Sequence, residues 1–426
     1  MDKIVKPIDR LRGEIDLPGD KSISHRVALF GGISLGATKG KNFLKADDCL
    51  RTLSAFKEMG VDAAFDGKNV TIEGRGLKGL KKPGKELYLG NSGTTMRILP
   101  GILAGQDFEA TLTGDDSLTK RPMGRIIEPL RKMGVDIKSK GNDGFPPLVI
   151  RGGRVTALEY ETKVASAQVK SCILLAGLYA DGKTMVTEPF LSRDHTERML
   201  DLFGAKIFRK GLSVSLGGSP SLKGQEFFVP GDISSAAFFI GGAAILEGSD
   251  VLVRDAGLNP TRIGFINVLR RMGADITVTV KNETVEPYGD IRVRFAPLKA
   301  VVIEKGEIPL LIDEIPILAV IASRARGKTV IKGAGELRVK ETDRIFSMTE
   351  NLRLMGSKIS SEKENLIITG GRGRFEKAAL KSFGDHRTAM SMAIACLFAK
   401  AACKIEDTDC ITTSFPAFFE VLDYLG

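Results

Sequence analysis

At 426 residues, 43% apolar and 27% charged, the chain has material for two or three packed cores and is too apolar to be disordered. Its net charge of +10 admits a nucleic-acid partner, but Lys and Arg are scattered and aromatics are only 6% with no Trp. No stretch interleaves aromatic and basic residues as base stacking would need, so a small polyanionic substrate fits the charge as well.

The opening MDKIVKPIDRLRG lacks the apolar core of a signal peptide, and no run is long and charge-free enough for a membrane span. Five Cys occur without CxxC spacing or a nearby His at ligand distance, so no zinc site is expected and a reducing cytoplasm is. The segment IVKPIDRLRGEIDL reads as a first strand, and because it precedes the first repeat it is expected to pair with the second half of the chain.

Six amphipathic segments then end alike: FKEMG, LRKMG, LDLFG, LRRMG, LRLMG and LDYLG close at Gly60, Gly134, Gly204, Gly273, Gly356 and Gly426. The separations are 74, 70, 69, 83 and 70 residues, and glycine after a helical pattern is a C-cap signal. A second set of six segments, beginning near Lys21, Ser92, Ser166, Ile233, Asp313 and Asp385, is rich in small and apolar residues. Runs of ~14 to 17 residues exceed usual strand lengths and predict buried helices. Strand-like stretches follow, such as KTMVTE, DVLVRD, DIKSK and DITVTV. Each unit is thus helix, strand, loop, helix, strands, and six units divide naturally into three plus three with a boundary near Phe228–Gly231.

The stretch GLYADGKT at 177–184 matches the phosphate-loop pattern GxxxxGK[ST], but here it closes a helix and opens a strand, the reverse of a working phosphate loop. It predicts a helix cap.

Polar residues gather at two places in the repeat. Lys21, Ser22 and Arg26; Asn91, Gly93 and Thr94; Ser166 and Gln168; Asp313 and Glu314; and Asp385, His386 and Arg387 stand at the starts of the small-residue helices. Arg121, Ser192, Arg193, His195, Lys340, Glu341 and Arg344 stand in the loops before the second helices. Helix N-termini favour anions through unpaired N–H groups and the helix dipole. Six candidate cations, Lys21, Arg26, Arg121, Lys340, Arg344 and Arg387, are too many for one phosphate and suit two polyanionic ligands. Taken singly, Asp313 and Asp385 could be helix caps, and Lys340, Glu341 and Arg344 a solvated helical face. The coincidence at matching repeat positions favours a site.

LPGDKSISHR, GNSGTTMR, TKRPMG, SAQVKS, SRDHTERML, DEIP, RVKETDR and GDHRTAM occur in this order, and together they resemble the 5-enolpyruvylshikimate-3-phosphate synthase family of enolpyruvyl transferases over nearly the whole chain. The resemblance implies an α/β (α+β) fold: a two-domain inverse α/β barrel of six βαβαββ repeats, three per domain, with helices inside and sheets outside. Residues 16–229 would form the first domain, and 1–15 with 230–426 the second, with the active site in the cleft between them. It implies transfer of the enolpyruvyl group of phosphoenolpyruvate to 3-phosphoshikimate in aromatic amino-acid biosynthesis, by a cytoplasmic monomer, with no metal, organic cofactor, membrane or nucleic acid.

Carried over by position, Lys21, Ser22, Arg26, Ser166, Gln168, Ser192, Asp313 and Lys340 match 3-phosphoshikimate contacts. Lys21, Gly93, Arg121, Gln168, Arg344 and Arg387 match phosphoenolpyruvate contacts. Asp313 matches the acceptor of the hydroxyl proton and Glu341 the acid–base group at the enolpyruvyl carbon, where the acid at C3 is Glu341 or Lys21. Ala167, His195, Glu336 and Thr413 depart from the family pattern known in enteric and plant enzymes, and glyphosate sensitivity stays open. The sister family, UDP-N-acetylglucosamine 1-carboxyvinyltransferase, usually carries a reactive Cys in the loop that here reads TGDDSLTKRP, which has none. A basic, non-enzymatic nucleic-acid-binding repeat protein is the alternative from another class.

Overall fold

The recurring glycines end helices, as their spacing predicts. Gly60, Gly134, Gly204, Gly273 and Gly356 adopt φ between 82° and 104°, the left-handed region where a side chain would be strained. The computed structural model describes residues 1–371 and 373–426. Among these, twelve α-helices alternate between the two predicted kinds. In chain order they are α1 (Lys21–Ile33), α2 (Asp47–Glu58), α3 (Gly93–Leu103), α4 (Gly124–Lys132), α5 (Ala167–Gly177) and α6 (His195–Leu202), followed by α7 (Ile233–Ile245), α8 (Gly264–Met272), α9 (Ile315–Ala322), α10 (Arg344–Leu354), α11 (His386–Cys396) and α12 (Phe418–Leu425).

The chain divides into two compact units, one of Gly19–Val229 and one of Met1–Pro18 with Pro230–Gly426, each with its own apolar core. The expected boundary at residue 16 moves to Pro18, because Arg12–Asp16 is a strand paired in parallel with Asp250–Gly257 through its last residue. The predicted single first strand is in fact two: Lys3–Val5 also pairs, antiparallel, with Cys403–Glu406. Both partners lie in the second half of the chain, as expected.

In each unit the odd-numbered helices are the buried ones. Every residue of α7, α9 and α11 is buried, as is nearly all of α1, α3 and α5. Sheets lie over them in the inverse α/β barrel arrangement. In the Gly19–Val229 unit one sheet runs Glu226–Phe228, Leu35–Lys41, Val70–Arg75, Asp62–Phe65, so the last strand of the unit pairs with its first. Arg12–Asp16 does the same service for the other unit.

The observed inner helices run 8 to 13 residues, shorter than the apolar runs that encode them. Each run continues past its helix; in the first, Leu35 already belongs to a strand. At 177–184 a helix closes at Gly177 and Lys183–Thr187 opens as a strand, so the pattern there is no phosphate loop. Asp313 sits in a 3₁₀ turn, Ile312–Glu314, and caps no helix with its side chain. Asp385 does cap α11, accepting from Arg387 N and Thr388 N.

Small residues let the inner helices meet closely. A Cβ on Gly101 of α3 would lie 2.2 Å from the backbone oxygen of Cys172 on α5 and 3.1 Å from Leu175 Cβ. Backbone cannot swing aside as a side chain can. Gly101→Ala should therefore destabilise the protein by about 1–3 kcal/mol, the usual scale of overpacking. A lower urea midpoint by circular dichroism checks this; an unchanged midpoint would show that α3 and α5 separate freely.

Candidate active site

In the Gly19–Val229 unit the sequence places its polar residues at the first turns of α1, α3 and α5 and in the loops leading to α4 and α6. Asp20 caps α1, accepting from Ile23 N at 2.9 Å, which leaves Lys21 and Ser22 in the first turn. Lys21 Nζ lies 2.5 Å from Asp48 Oδ2 of α2. Arg26, one turn on, is buried and joins three helices. Its Nη1 donates to Ser22 O at 2.9 Å, its Nη2 to Ser171 Oγ of α5 at 2.9 Å, and its Nε to Thr196 Oγ1 of α6 at 2.7 Å. Arg193 reaches back from the loop before α6 to Ser22 Oγ, at 3.4 Å.

The first turn of α3 is built around guanidinium groups. A Cβ on Gly93 would come within 3.0 Å of Arg97 Nη1 and 3.1 Å of Arg121 Nη1, so a side chain there would press on both guanidinium groups. Arg121 donates from Nη2 to Asn91 Oδ1 at 2.5 Å and to Ser117 Oγ at 3.1 Å. Gln168 of α5 links across to α3: its Oε1 accepts from Arg97 Nη1 at 3.1 Å and its Nε2 donates to Thr94 Oγ1 at 3.2 Å. Ser166 caps α5, accepting from Val169 N. The Ser166 N–H and the Ser192 hydroxyl both donate to Glu188, at 3.0 Å and 2.8 Å. Of the site residues predicted for this unit, Lys21, Ser22, Arg26, Gly93, Ser166 and Gln168 thus stand at helix starts, and Arg121 and Ser192 in the loops before α4 and α6.

His25 turns the other way. It is buried, its Nδ1 is 2.7 Å from Thr52 Oγ1, and burial together with Lys21 and Arg26 pushes its pKa well below the usual histidine value. It is a neutral packing histidine.

In the other unit the site residues converge on Arg344, the first residue of α10. The buried guanidinium donates from Nε to Asp385 Oδ2 at 2.7 Å, from Nη1 to Asp313 Oδ1 at 3.2 Å and from Nη2 to Glu341 Oε2 at 2.6 Å. Burial alone would lower its pKa, but Asp385, Glu341 and Asp313 more than reverse that, so the group stays protonated. Arg387 of α11 donates to Asp313 O at 3.2 Å, and its Nη2 lies 3.7 Å from Asp313 Oδ2. Burial separates the carboxylates. Asp385 is fully enclosed, whereas Asp313 and Glu341 are 12% and 26% exposed and open to a ligand. Lys340, half-buried, precedes Glu341 after a 3₁₀ turn over Gly335–Val339. Asp313, Glu341, Arg344 and Arg387 are thus brought together, with Lys340 next to Glu341 in the chain.

Of the departing positions, Ala167 opens α5, and His195, buried, opens α6. Glu336 lies in the 3₁₀ turn before Lys340, and Thr413 in another over Thr408–Thr413. Sequence reasoning passed over Glu188, Lys170, Ser171 and Thr196. The one signal for them was a lysine inside the apolar run SAQVKSCILL, since a buried lysine requires a partner.

The EPSP synthase (3-phosphoshikimate 1-carboxyvinyltransferase) family model matches residues 5–422. A 3-phosphoshikimate 1-carboxyvinyltransferase of Geobacillus thermodenitrificans (strain NG80-2) is 50% identical over 414 residues, 97% of this chain and 96% of its own. One of Bacillus licheniformis is 48% identical over 420 residues, 98% of each chain. The solved EPSP synthase of Acinetobacter baumannii superposes with a TM-score of 0.89 at 45% identity, covering all of this chain and 98% of that one. An enolpyruvyl transferase of Streptomyces tendae shares the fold, with a TM-score of 0.79 at 18% identity over 99% of this chain and 97% of that one. With a family model spanning nearly its whole length and relatives near half-identical end to end, this chain belongs to the EPSP synthase family.

Proposed function

We propose that this protein transfers the enolpyruvyl group of phosphoenolpyruvate to the 5-hydroxyl of 3-phosphoshikimate and releases inorganic phosphate, acting as a single chain in the cytoplasm. The observation that carries the reading is the group at Arg344: two partly exposed carboxylates, Asp313 and Glu341, held by a guanidinium that is itself buried. Five thiols, none paired in a disulfide, support a reducing compartment. No helix among the described residues is long and apolar enough to cross a membrane.

The chemistry needs a base at the attacking hydroxyl and an acid at the methylene carbon. Asp313 takes the 5-hydroxyl proton as that oxygen bonds to C2 of phosphoenolpyruvate, and Glu341 or Lys21 delivers a proton to C3. The tetrahedral adduct then loses a proton from C3 and phosphate from C2, leaving the enol ether. Arg344 and Arg387 both lean on Asp313. The anionic groups of phosphoenolpyruvate compete with Asp313 for these guanidiniums, and as they take them the carboxylate is released to act as base. Arg121 and the Gly93 turn serve the same donor substrate, while Ser22, Arg26, Ser166, Gln168, Ser192 and Lys340 serve 3-phosphoshikimate. Cations aimed at the departing phosphate stabilise the charge it develops.

Purified protein should release phosphate only when both substrates are present, and none with UDP-N-acetylglucosamine in place of 3-phosphoshikimate. Release from either substrate alone would defeat the reading. Asp313→Ala and Glu341→Ala should each lose on the order of 10²–10⁴-fold in turnover. Calorimetry should show that they still bind 3-phosphoshikimate; wild-type turnover in either variant removes its assigned role. Arg121→Ala deletes a charged donor and should raise the KM for phosphoenolpyruvate about tenfold or more. An unchanged KM would place Arg121 outside the donor site.

A further inference from the structure

Beneath the α5 and α6 starts lies a cluster of charge that the reaction does not use. Lys170 Nζ of α5 is 2.7 Å from Glu188 Oε2 and 2.8 Å from Glu197 Oε1 of α6, and all three side chains are at most 2% exposed. Burial works to lower the lysine pKa, but Glu197 and Glu188 overcome it, so the lysine is held charged. Enclosing three ions is costly, and apolar residues of similar volume would often hold the same elements together as well or better. Stability alone is therefore a weak account of the cluster.

The hydrogen bonds of Glu188 supply a reason. One carboxylate oxygen accepts from Ser166 N and the other from Ser192 Oγ as well as from Lys170. Ser166 is the cap of α5, and Ser192 lies in the loop before α6 that carries Arg193 to within 3.4 Å of Ser22 Oγ. Ser166 accepts from Val169 N as the α5 cap, so its own hydroxyl proton remains for a ligand. Next to Lys170 and Glu197 in the chain, Ser171 and Thr196 receive Arg26.

We infer that Glu188 is a positioning residue for 3-phosphoshikimate: clamped from below by Lys170, it fixes Ser166 and Ser192 and so sets the shape of the seat that the acceptor substrate enters. The inference rests on the function proposed above. Lys170 makes the arrangement tolerable, since it neutralises a carboxylate that would otherwise repel an anionic ligand. Glu197 completes the charge on Lys170 and bonds to neither serine.

Glu188→Gln separates this role from that of a bystander charge. A glutamine has one acceptor oxygen for the three donors that Glu188 serves, Ser166 N, Ser192 Oγ and Lys170 Nζ, so the seat loosens. Titration calorimetry should show 3-phosphoshikimate binding weakened about tenfold or more, the scale of a lost charge-assisted hydrogen bond. The KM for phosphoenolpyruvate at saturating 3-phosphoshikimate should stay within about twofold, a split that general core damage would not produce. Glu197→Gln, which alters the lysine pairing but touches neither serine, should leave acceptor affinity within about threefold. Unchanged or tighter binding by Glu188→Gln overturns the inference, because neutralising a mere bystander charge would tighten an anion. Equal losses in the two variants overturn it as well. If Glu188→Gln does not fold, Glu188→Asp keeps the charge and withdraws the carboxylate by one methylene; wild-type affinity there is equally fatal. A wild-type protein that neither binds 3-phosphoshikimate nor releases phosphate removes the function along with the inference, whereas a working wild type with an unaffected Glu188→Gln removes the inference alone.

Discussion

Arg344 is a guanidinium with almost no water to turn to. A buried cation is tolerable only if its donors are met, and Asp385, Asp313 and Glu341 each meet one of its nitrogens. Those three residues come from the cap of α11, a 3₁₀ turn before α9 and the loop into α10. One charge therefore fixes the relative placement of three chain segments. Asp385 does two jobs at once, since the same carboxylate caps α11 and accepts from Arg344. Removing Asp385, the fully enclosed partner, would typically cost about 3–5 kcal/mol, because the Arg344 charge stays buried without it.

Arg26 plays the matching part in the Gly19–Val229 unit with a different set of partners. It ties α1 to α5 and α6 through a carbonyl and two hydroxyls. Hydroxyls rotate and can exchange partners; carboxylates around a guanidinium form shorter and stronger bonds. One unit thus presents adaptable donors at helix starts, suited to receiving anions. The other presents carboxylates beside guanidinium groups, two of which, Asp313 and Glu341, are partly exposed. The repeat accounts for both, because it delivers a helix start and a loop to the same place three times per unit.

Much of this was legible in the sequence because it depends on local rules. A glycine with positive φ follows a helix for steric reasons, so the spacing of FKEMG and its relatives marked the helix ends correctly. The small-residue runs revealed the inner helices but overstated their length, since apolar residues such as Leu35 continue into the next strand. The cap at Asp385 was foreseeable, whereas the 3₁₀ turn at Asp313 was not: α9 starts at Ile315 with Glu314, not Asp313, at its N-cap. The cluster of Lys170, Glu188 and Glu197 escaped notice for another reason. It joins residues 18 and 27 positions apart across separate elements, and no periodicity records such a meeting.

The strand Lys3–Val5 lies beside Cys403–Glu406, and Arg12–Asp16 beside Asp250–Gly257. During synthesis on the ribosome, the first eighteen residues therefore emerge long before their partners exist. The stretch Gly19–Val229 contains its own closing strand, Glu226–Phe228, and can complete its sheets while the rest is still being made. Arg12–Asp16 can pair once Asp250–Gly257 has emerged, whereas Lys3–Val5 has to stay unpaired until Cys403–Glu406 leaves the exit tunnel, so this sheet is among the last to close.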